Sequence, residues 1–301
     1  MERLKIWIVA VRPWAYGASL LSVVLGFVLA RHQGFGWHWP WFALTVTTVL
    51  CLHTGGNLIN DAFDYRQGLD RIAGPGSGAV VRGDISPSQA LRAALVFLAL
   101  GMGCAAWLFV EHGLMVLVLG AAGAFFAVAY TVPSIHLKGR GLGDLAVFLS
   151  FGPLPTLGGY WIQSGAFSWI PAYWSLPTAL LAAGILHANN WRDMATDTRG
   201  QCRTFACRLG HRWSGQYYRV LVLGSFLLVG IYVALGTVPG SPLIAPAWSG
   251  LTWLLLPTAI SLSRTASGRK SEDHGQFQRL DILTARLQML FGLLLLGAFL
   301  L

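Results

Sequence analysis

Nine apolar runs, each about as long as a bilayer-crossing helix, follow one another along this chain and constrain its fold more than any other feature. Hydrophobic residues make up 55% of the 301 residues and charged residues only 11%, too few to cover a soluble protein of this size. The sequence predicts an all-α, polytopic membrane bundle of about nine transmembrane helices surrounding a central cavity, with residues 1–301 forming a single domain. The runs are 14–30, 41–60, 89–110, 113–132, 143–163, 172–191, 217–236, 244–263 and 282–301.

The basic residues are confined to one side of the predicted bundle. When the connecting segments are numbered alternately, one set with its helix ends carries 20 of the 21 lysines and arginines, and the other set carries only Arg31. By the positive-inside rule the N-terminus and the long loops face the cytoplasm. The net charge of +9 therefore reflects membrane orientation, and we expect no nucleic-acid partner and no obligate protein partner.

Two short stripes of amides and carboxylates end two of the apolar runs. If the chain stays helical there, each stripe occupies one helix face, because its members are three or four residues apart. The first stripe is Asn57, Asp61 and Asp64, and the second is Asn189, Asp193 and Asp197. Acidic side chains at the end of a membrane span indicate a functional site. Because an all-oxygen ligand set suits Mg²⁺, which also binds phosphate oxygens, the stripes predict a magnesium site.

Basic residues in the neighbouring loops can complete a site for a diphosphate. The loop after the first stripe is rich in glycine, whose backbone N–H groups can approach an anion, and it contains Arg82. The 133–142 segment adds Lys138 and Arg140, residue types that bind phosphate as a point charge or as a fork.

These motifs make the sequence resemble the UbiA superfamily of intramembrane prenyltransferases over nearly the whole chain. Within it the motifs most resemble the 1,4-dihydroxy-2-naphthoate polyprenyltransferases of menaquinone synthesis. The resemblance rests on Arg12-Pro13-Trp14, on Asn57 to Tyr65 with Gly68 to Asp70, on Gly78 to Arg82, on Tyr130 to Pro133 with Gly141 to Asp144, and on Asn189 to Asp193 with Asp197.

The resemblance implies Mg²⁺-dependent transfer of an isoprenyl group from a prenyl diphosphate to an aromatic ring acceptor in the bilayer. It also implies roles for individual residues, and it leads us to expect a bacterial or archaeal cytoplasmic membrane. Asn57, Asp61, Asp64, Asp193 and Asp197 would bind the metal; Asn189, Asn190 and Tyr130 would orient the substrates; Arg12, Arg82, Lys138 and Arg140 would bind diphosphate; Asp144 would orient or deprotonate the acceptor.

Two positions depart from the naphthoate branch. Where the branch usually has Gly-Lys-x-Thr-Leu, this chain has Gln201-Cys202-Arg203-Thr204-Phe205, so the lysine is missing and Arg203 is the candidate to supply its charge. Asp144 stands where the branch commonly has glutamate. These departures leave open a terpene cyclase or special-metabolite prenyltransferase on the same scaffold. A cation-coupled transporter is the alternative from another class, although its acids would lie nearer the bilayer midplane.

The charge asymmetry predicts the orientation directly. A reporter fused near Gly76 or Ser271 should report a cytoplasmic location, and one near Ser164 an external location, because the positively charged loops stay inside. Accessibility of the fused reporter in intact cells measures this. The opposite pattern would place the acidic stripes on the external face.

Overall fold

The computed structural model describes residues 2–68, 78–236, 245–266 and 277–301, and these residues form helices and connecting turns without a strand. The predicted all-α fold is confirmed. Within these residues, the 3₁₀ segments Pro13–Ala15, Ala247–Leu255 and Phe277–Arg279 accompany the α-helices. The α-helices are α1 (Glu2–Val11), α2 (Tyr16–His32), α3 (Trp39–Arg66), α4 (Pro87–His112), α5 (Leu114–Ala129), α6 (Gly143–Ser150), α7 (Pro153–Ser164), α8 (Ile170–Arg192), α9 (Met194–Arg199), α10 (Phe205–Gly236), α11 (Leu256–Thr265) and α12 (Leu280–Leu300).

Six helical stretches of the described residues are long and apolar enough to cross a membrane. They are Arg3–His32, Trp39–Arg66, Pro87–His112, Gly143–Ser164, Phe205–Gly236 and Phe277–Leu300. The other three predicted runs fall on α5, on α8, and on α11 with the 3₁₀ segment before it. These helices do not combine the length and the apolar character of the six. The structure thus confirms a polytopic bundle but not the count of nine spans.

The fifth apolar run is two helices, because the chain breaks at its Gly-Pro step. Pro153 begins α7 and has no N–H to continue α6, and Gly152 caps α7 with φ −138° and ψ −100°. A Cβ atom at Gly152 would lie 2.3 Å from the Cβ atom of Ala179 in α8, so only glycine fits there. This break lies beside the cavity described below, which Phe151 and Leu154 line.

Glycines let α2 and α7 pack with their backbones in close contact. A Cβ atom at Gly26 would lie 2.2 Å from the carbonyl oxygen of Thr156, and one at Gly159 would lie 2.7 Å from the carbonyl oxygen of Val23. Small residues allow such approaches between membrane helices, where dispersion contacts rather than water exclusion hold the helices together. Because α2 follows Arg12 and α7 lines the cavity, this contact fixes one wall of the site.

Gly26→Ala should therefore destabilise the fold, because its methyl group meets backbone atoms that cannot move aside. We expect a loss of about 1–3 kcal/mol in the free energy of unfolding, the usual cost of overpacking. The thermal unfolding midpoint in detergent measures it. Gly103→Ala in α4 is the matched control, since nothing lies within 4 Å of its added Cβ atom; equal midpoints for the two variants would contradict the packing argument.

Candidate active site

A cavity of about 1610 Å³ lies among the helices, and its two ends differ chemically. One end is lined by charged and amide side chains, including both acidic stripes. The other end is lined mainly by aliphatic and small residues from α3, α4, α5 and α7, among them Leu52, Leu108, Val116, Leu119 and Ile162. An anionic head group and a long apolar tail would fit such a cavity together.

The first acidic stripe has the geometry that its spacing predicted. Helix α3 continues to Arg66, so Asn57, Asp61 and Asp64 share a face, and all three line the cavity. Asp61 and Asp64 are 6% and 4% exposed, and a buried carboxylate needs a cation or hydrogen-bond donors to remain charged.

Two cations neutralise these carboxylates. Arg12 donates from Nη2 to Asp61 Oδ1, and Lys138 donates from Nζ to Asp64 Oδ2 at 2.8 Å. Burial by itself lowers the pKa of Lys138, but the Asp64 carboxylate, together with Tyr130 and Asp197, outweighs burial and holds that pKa above its usual value. Lys138 is therefore charged where it meets the stripe.

Local backbone geometry delivers both cations to the site. Arg12 adopts a left-handed conformation (φ 56°, ψ 57°) between α1 and the 3₁₀ turn that leads into α2, which is uncommon for a residue with a side chain. The segment carrying Lys138 folds back on the end of α5, with the Lys138 N–H donating to the Tyr130 carbonyl at 3.0 Å. Each turn brings a basic residue from outside α3 to its acidic face.

The second stripe lies where α8 ends. Asn189 and Asn190 belong to the last turn of α8, Asp193 interrupts the helix, and Asp197 follows in α9. The continuous helix assumed from the sequence is therefore wrong at Asp193, but all four residues line the cavity.

Arg192 is shared between two carboxylates next to this stripe. Its Nε and Nη2 atoms donate to the two oxygens of Asp193, both at 2.9 Å, and its Nη1 atom donates to Asp281 at 2.5 Å. Asn189 also donates to Asp281, at 3.3 Å. From the sequence, Arg192 was expected only to contribute to membrane orientation, and Asp281 was not expected in the site. The position of Asp281, a carboxylate in the first turn of an apolar helix, could have singled it out.

These oxygen donors fit Mg²⁺. Asp64 Oδ1 is buried without a hydrogen-bond partner, although the other oxygen of that carboxylate binds Lys138. Within the described residues no three His, Cys, Asp or Glu side chains are grouped closely enough to hold a metal ion by themselves. Mg²⁺ commonly takes one or two carboxylates and completes its shell with water and substrate phosphate, so the donor set suits an ion bound together with a diphosphate.

The UbiA prenyltransferase family model matches residues 19–280. This chain belongs to the UbiA prenyltransferase family. "UbiA prenyltransferase domain-containing protein 1" of Mus musculus is 32% identical over 295 residues, covering 95% of this chain and 81% of the relative. The protein of the same name from Homo sapiens is 31% identical over 294 residues, with the same two coverages. The chain is therefore a prenyltransferase, as its motifs predicted.

Solved structures show the same fold. A UbiA homologue from Archaeoglobus fulgidus bound to GPP and Mg²⁺ has a TM-score of 0.68 at 17% identity, covering 97% of this chain and 99% of that chain. An apo UbiA homologue from Aeropyrum pernix K1 has a TM-score of 0.66 at 19% identity, covering 94% of this chain and 96% of that chain.

The two relatives reported above are animal proteins, which contradicts the expectation of a bacterial or archaeal membrane.

Four residues expected in the site of this prenyltransferase do not line its cavity. Arg82 is exposed and pairs with Asp84 at 2.8 Å, and Arg140 is exposed and donates to the Ser134 carbonyl. Asp144 is buried instead against His187 Nδ1 at 2.8 Å, joining α6 to α8 behind the cavity wall. Arg203, the fourth, is exposed as well. The predicted anion contacts of the glycine-rich loop fall partly on residues 69–77, which lie outside the described residues.

Arg203 does not occupy the place of the missing family lysine. Its side chain is exposed, and its carbonyl oxygen accepts a hydrogen bond from Arg208. Cys202 is buried in its place, with its N–H donating to the Asp197 carbonyl at 2.8 Å. Burial raises the pKa of Cys202 to about 12. The Asp197 and Asp64 carboxylates add to this effect, and Lys138 opposes it. Lys138, from a different loop, supplies positive charge next to Cys202.

The Lys138–Asp64 pair should stabilise the fold mainly because breaking it leaves a buried charge. Lys138→Met should cost about 3–5 kcal/mol, and adding Asp64→Asn should recover much of that loss. Thermal unfolding in detergent measures both. In the exposed pair, Arg82→Met with or without Asp84→Asn should change stability by less than about 1 kcal/mol. Additive effects of Lys138→Met and Asp64→Asn would contradict direct coupling.

Proposed function

We propose that this prenyltransferase transfers an isoprenyl group from a prenyl diphosphate to an aromatic ring acceptor in a Mg²⁺-dependent reaction. The observation that carries this proposal is the position of both acidic stripes, with Arg12 and Lys138, at one end of a cavity with apolar walls elsewhere. The Archaeoglobus fulgidus homologue with the same fold was solved with GPP and Mg²⁺ and also with DMAPP and Mg²⁺, which supports this substrate class.

The acidic stripes would hold Mg²⁺, through Asn57, Asp61 and Asp64 on one side and Asp193 and Asp197 on the other. Bound there, Mg²⁺ supplies Lewis-acid neutralisation of the charge that develops on the leaving diphosphate. Asn189, Asn190 and Tyr130 line the same end of the cavity, where they would orient the substrates.

Arg12 and Lys138 bind the diphosphate. In the structure each pairs with a carboxylate of the first stripe, so each already lies next to a residue proposed to bind the metal. With these carboxylates engaged by a metal ion, both cations would be free to turn to phosphate oxygens at the same end of the cavity. Positive charge fixed beside the leaving group stabilises the transition state more than the ground state, which is the main electrostatic requirement of this reaction.

The apolar walls would hold the isoprenyl tail and exclude water from the reacting allylic carbon. Exclusion of water matters because a developing carbocation would otherwise be captured to give an alcohol. The acceptor that we propose is 1,4-dihydroxy-2-naphthoate or a similar bicyclic quinone precursor, on the strength of the motif resemblance to the naphthoate branch. Arg82, Arg140 and Arg203 have no part in this proposal, because they do not line the cavity.

Product analysis tests the proposal. Purified protein is incubated with Mg²⁺, prenyl diphosphates of several lengths and a panel of ring acceptors, and products are identified by mass spectrometry. A prenylated ring is expected, with loss of diphosphate. A cyclic hydrocarbon formed without any acceptor would instead identify a terpene cyclase and would overturn the transferase proposal.

Turnover should depend on both stripes. Asp61→Asn and Asp193→Asn should each lower kcat by about 100-fold or more, because each removes charge that holds the ion opposing the leaving diphosphate. EDTA should have the same effect, and added Mg²⁺ should reverse it. The matched control is Asp84→Asn, an exposed carboxylate off the cavity. Unchanged turnover in either stripe variant would rule out a metal site shared by the two stripes.

A further inference from the structure

His53 lines the cavity on the same face of α3 as the first acidic stripe. It precedes Asn57 by four residues and Asp61 by eight, so all three lie along one line of the helix. At about 1.5 Å per residue, His53 is about 6 Å farther into the bundle than Asn57. That is the side of the polar end where the reacting end of a bound isoprenyl group would meet a second substrate.

The imidazole of His53 is held in a fixed orientation. Ser19 Oγ lies 2.5 Å from Nδ1, and the rings of Tyr16 and Phe151 pack edge-on against the imidazole, with centroids 5.5 and 5.0 Å away. Since Nδ1 is engaged by Ser19, Nε2 is the ring nitrogen left to meet a ligand. When Nδ1 donates to Ser19, Nε2 carries a lone pair and acts as a hydrogen-bond acceptor.

A second polar group lies next to Phe151. Ser150 lines the same cavity, and its Oγ atom is buried without a hydrogen-bond partner. The Phe151 carbonyl accepts a hydrogen bond from Ser22 Oγ at 2.5 Å, which fixes the backbone at the end of α6. A buried hydroxyl without a partner carries a free-energy cost that a polar ligand group can remove.

We propose that His53 and Ser150 form the subsite for the acceptor ring, in which His53 Nε2 accepts the hydrogen of a ring hydroxyl and Ser150 binds a second oxygen. This inference rests on the proposed function, because it takes the second substrate to be a hydroxylated aromatic ring. His53 has the role that the sequence motifs predicted for Asp144, which is paired with His187 off the cavity. A hydrogen bond accepted from the hydroxyl also raises the electron density of the ring, which favours its attack on the allylic carbon.

Binding measurements on the full chain in detergent test this subsite. The probes are 1,4-dihydroxy-2-naphthoate, followed anaerobically by its own fluorescence, and farnesyl thiodiphosphate, an unreactive diphosphate analogue. His53→Phe keeps an aromatic ring but removes the acceptor, so it should weaken naphthoate binding about 3- to 10-fold. His53→Gln, which retains an acceptor oxygen, should weaken it less. Both variants should bind farnesyl thiodiphosphate as the wild type does.

Further variants separate this subsite from a general loss of structure. His38→Phe changes an exposed histidine at the other end of α3 and should leave both affinities unchanged. Ser150→Ala should weaken naphthoate binding alone, and so should Ser19→Ala, which releases Nδ1. If His53→Phe proves unstable, these two serine variants decide the matter. Naphthoate binding equal to wild type in them and in any stable His53→Phe protein would overturn the subsite.

The same measurements distinguish this inference from the proposed function. A wild type that binds both probes but forms no prenylated ring would refute the proposed transfer, while a selective loss of naphthoate affinity in His53→Phe would still support the subsite. Conversely, normal transfer to the ring with unaltered naphthoate affinity in His53→Phe would refute the subsite alone. A parallel fall in farnesyl thiodiphosphate affinity would assign His53 to the diphosphate site and overturn it as well.

Discussion

Asp61 and Asp64 near the end of α3 can be buried only because cations meet them, and much of the site's architecture follows from this requirement. Arg12 reaches Asp61 from a left-handed turn, and Lys138 reaches Asp64 from a loop folded over α5. Each ion pair crosses between separate elements, so neutralising the charge also fixes the arrangement of the helices. Isolated buried carboxylates would be costly in this apolar surrounding, whereas paired ones hold the polar end of the cavity in place.

The cavity combines a charged end with apolar walls, two environments that few small molecules need together. Its charged end suits a group that must leave with negative charge, and its apolar walls suit a chain that would be expelled from water. Close backbone contact between α2 and α7 and the helix break at Gly152 shape those walls. The fold thus places charged side chains and apolar walls around one cavity.

The acidic stripes were predictable from the sequence because helical spacing dictates which residues share a face, and α3 remains helical throughout its stripe. The helix break at Asp193 was not, since no proline or glycine marks it. Loop residues were harder still: Lys138 points inward whereas Arg140, two positions later, points outward, and residue type alone does not distinguish them. The sequence position of Arg203 was misleading for a related reason, because the positive charge next to Asp64 comes from Lys138 in a different loop. Asp281 was missed because its partner Arg192 lies far away in the sequence.

Arg192 gives the second stripe a property that the first stripe lacks. Because its guanidinium binds Asp281 as well as Asp193, Arg192 would keep a counter-charge if Asp193 turned to a bound divalent cation. Asn189, which also donates to Asp281, holds that carboxylate in position. The last helix of the bundle, α12, thus contributes a fixed negative charge next to the second stripe.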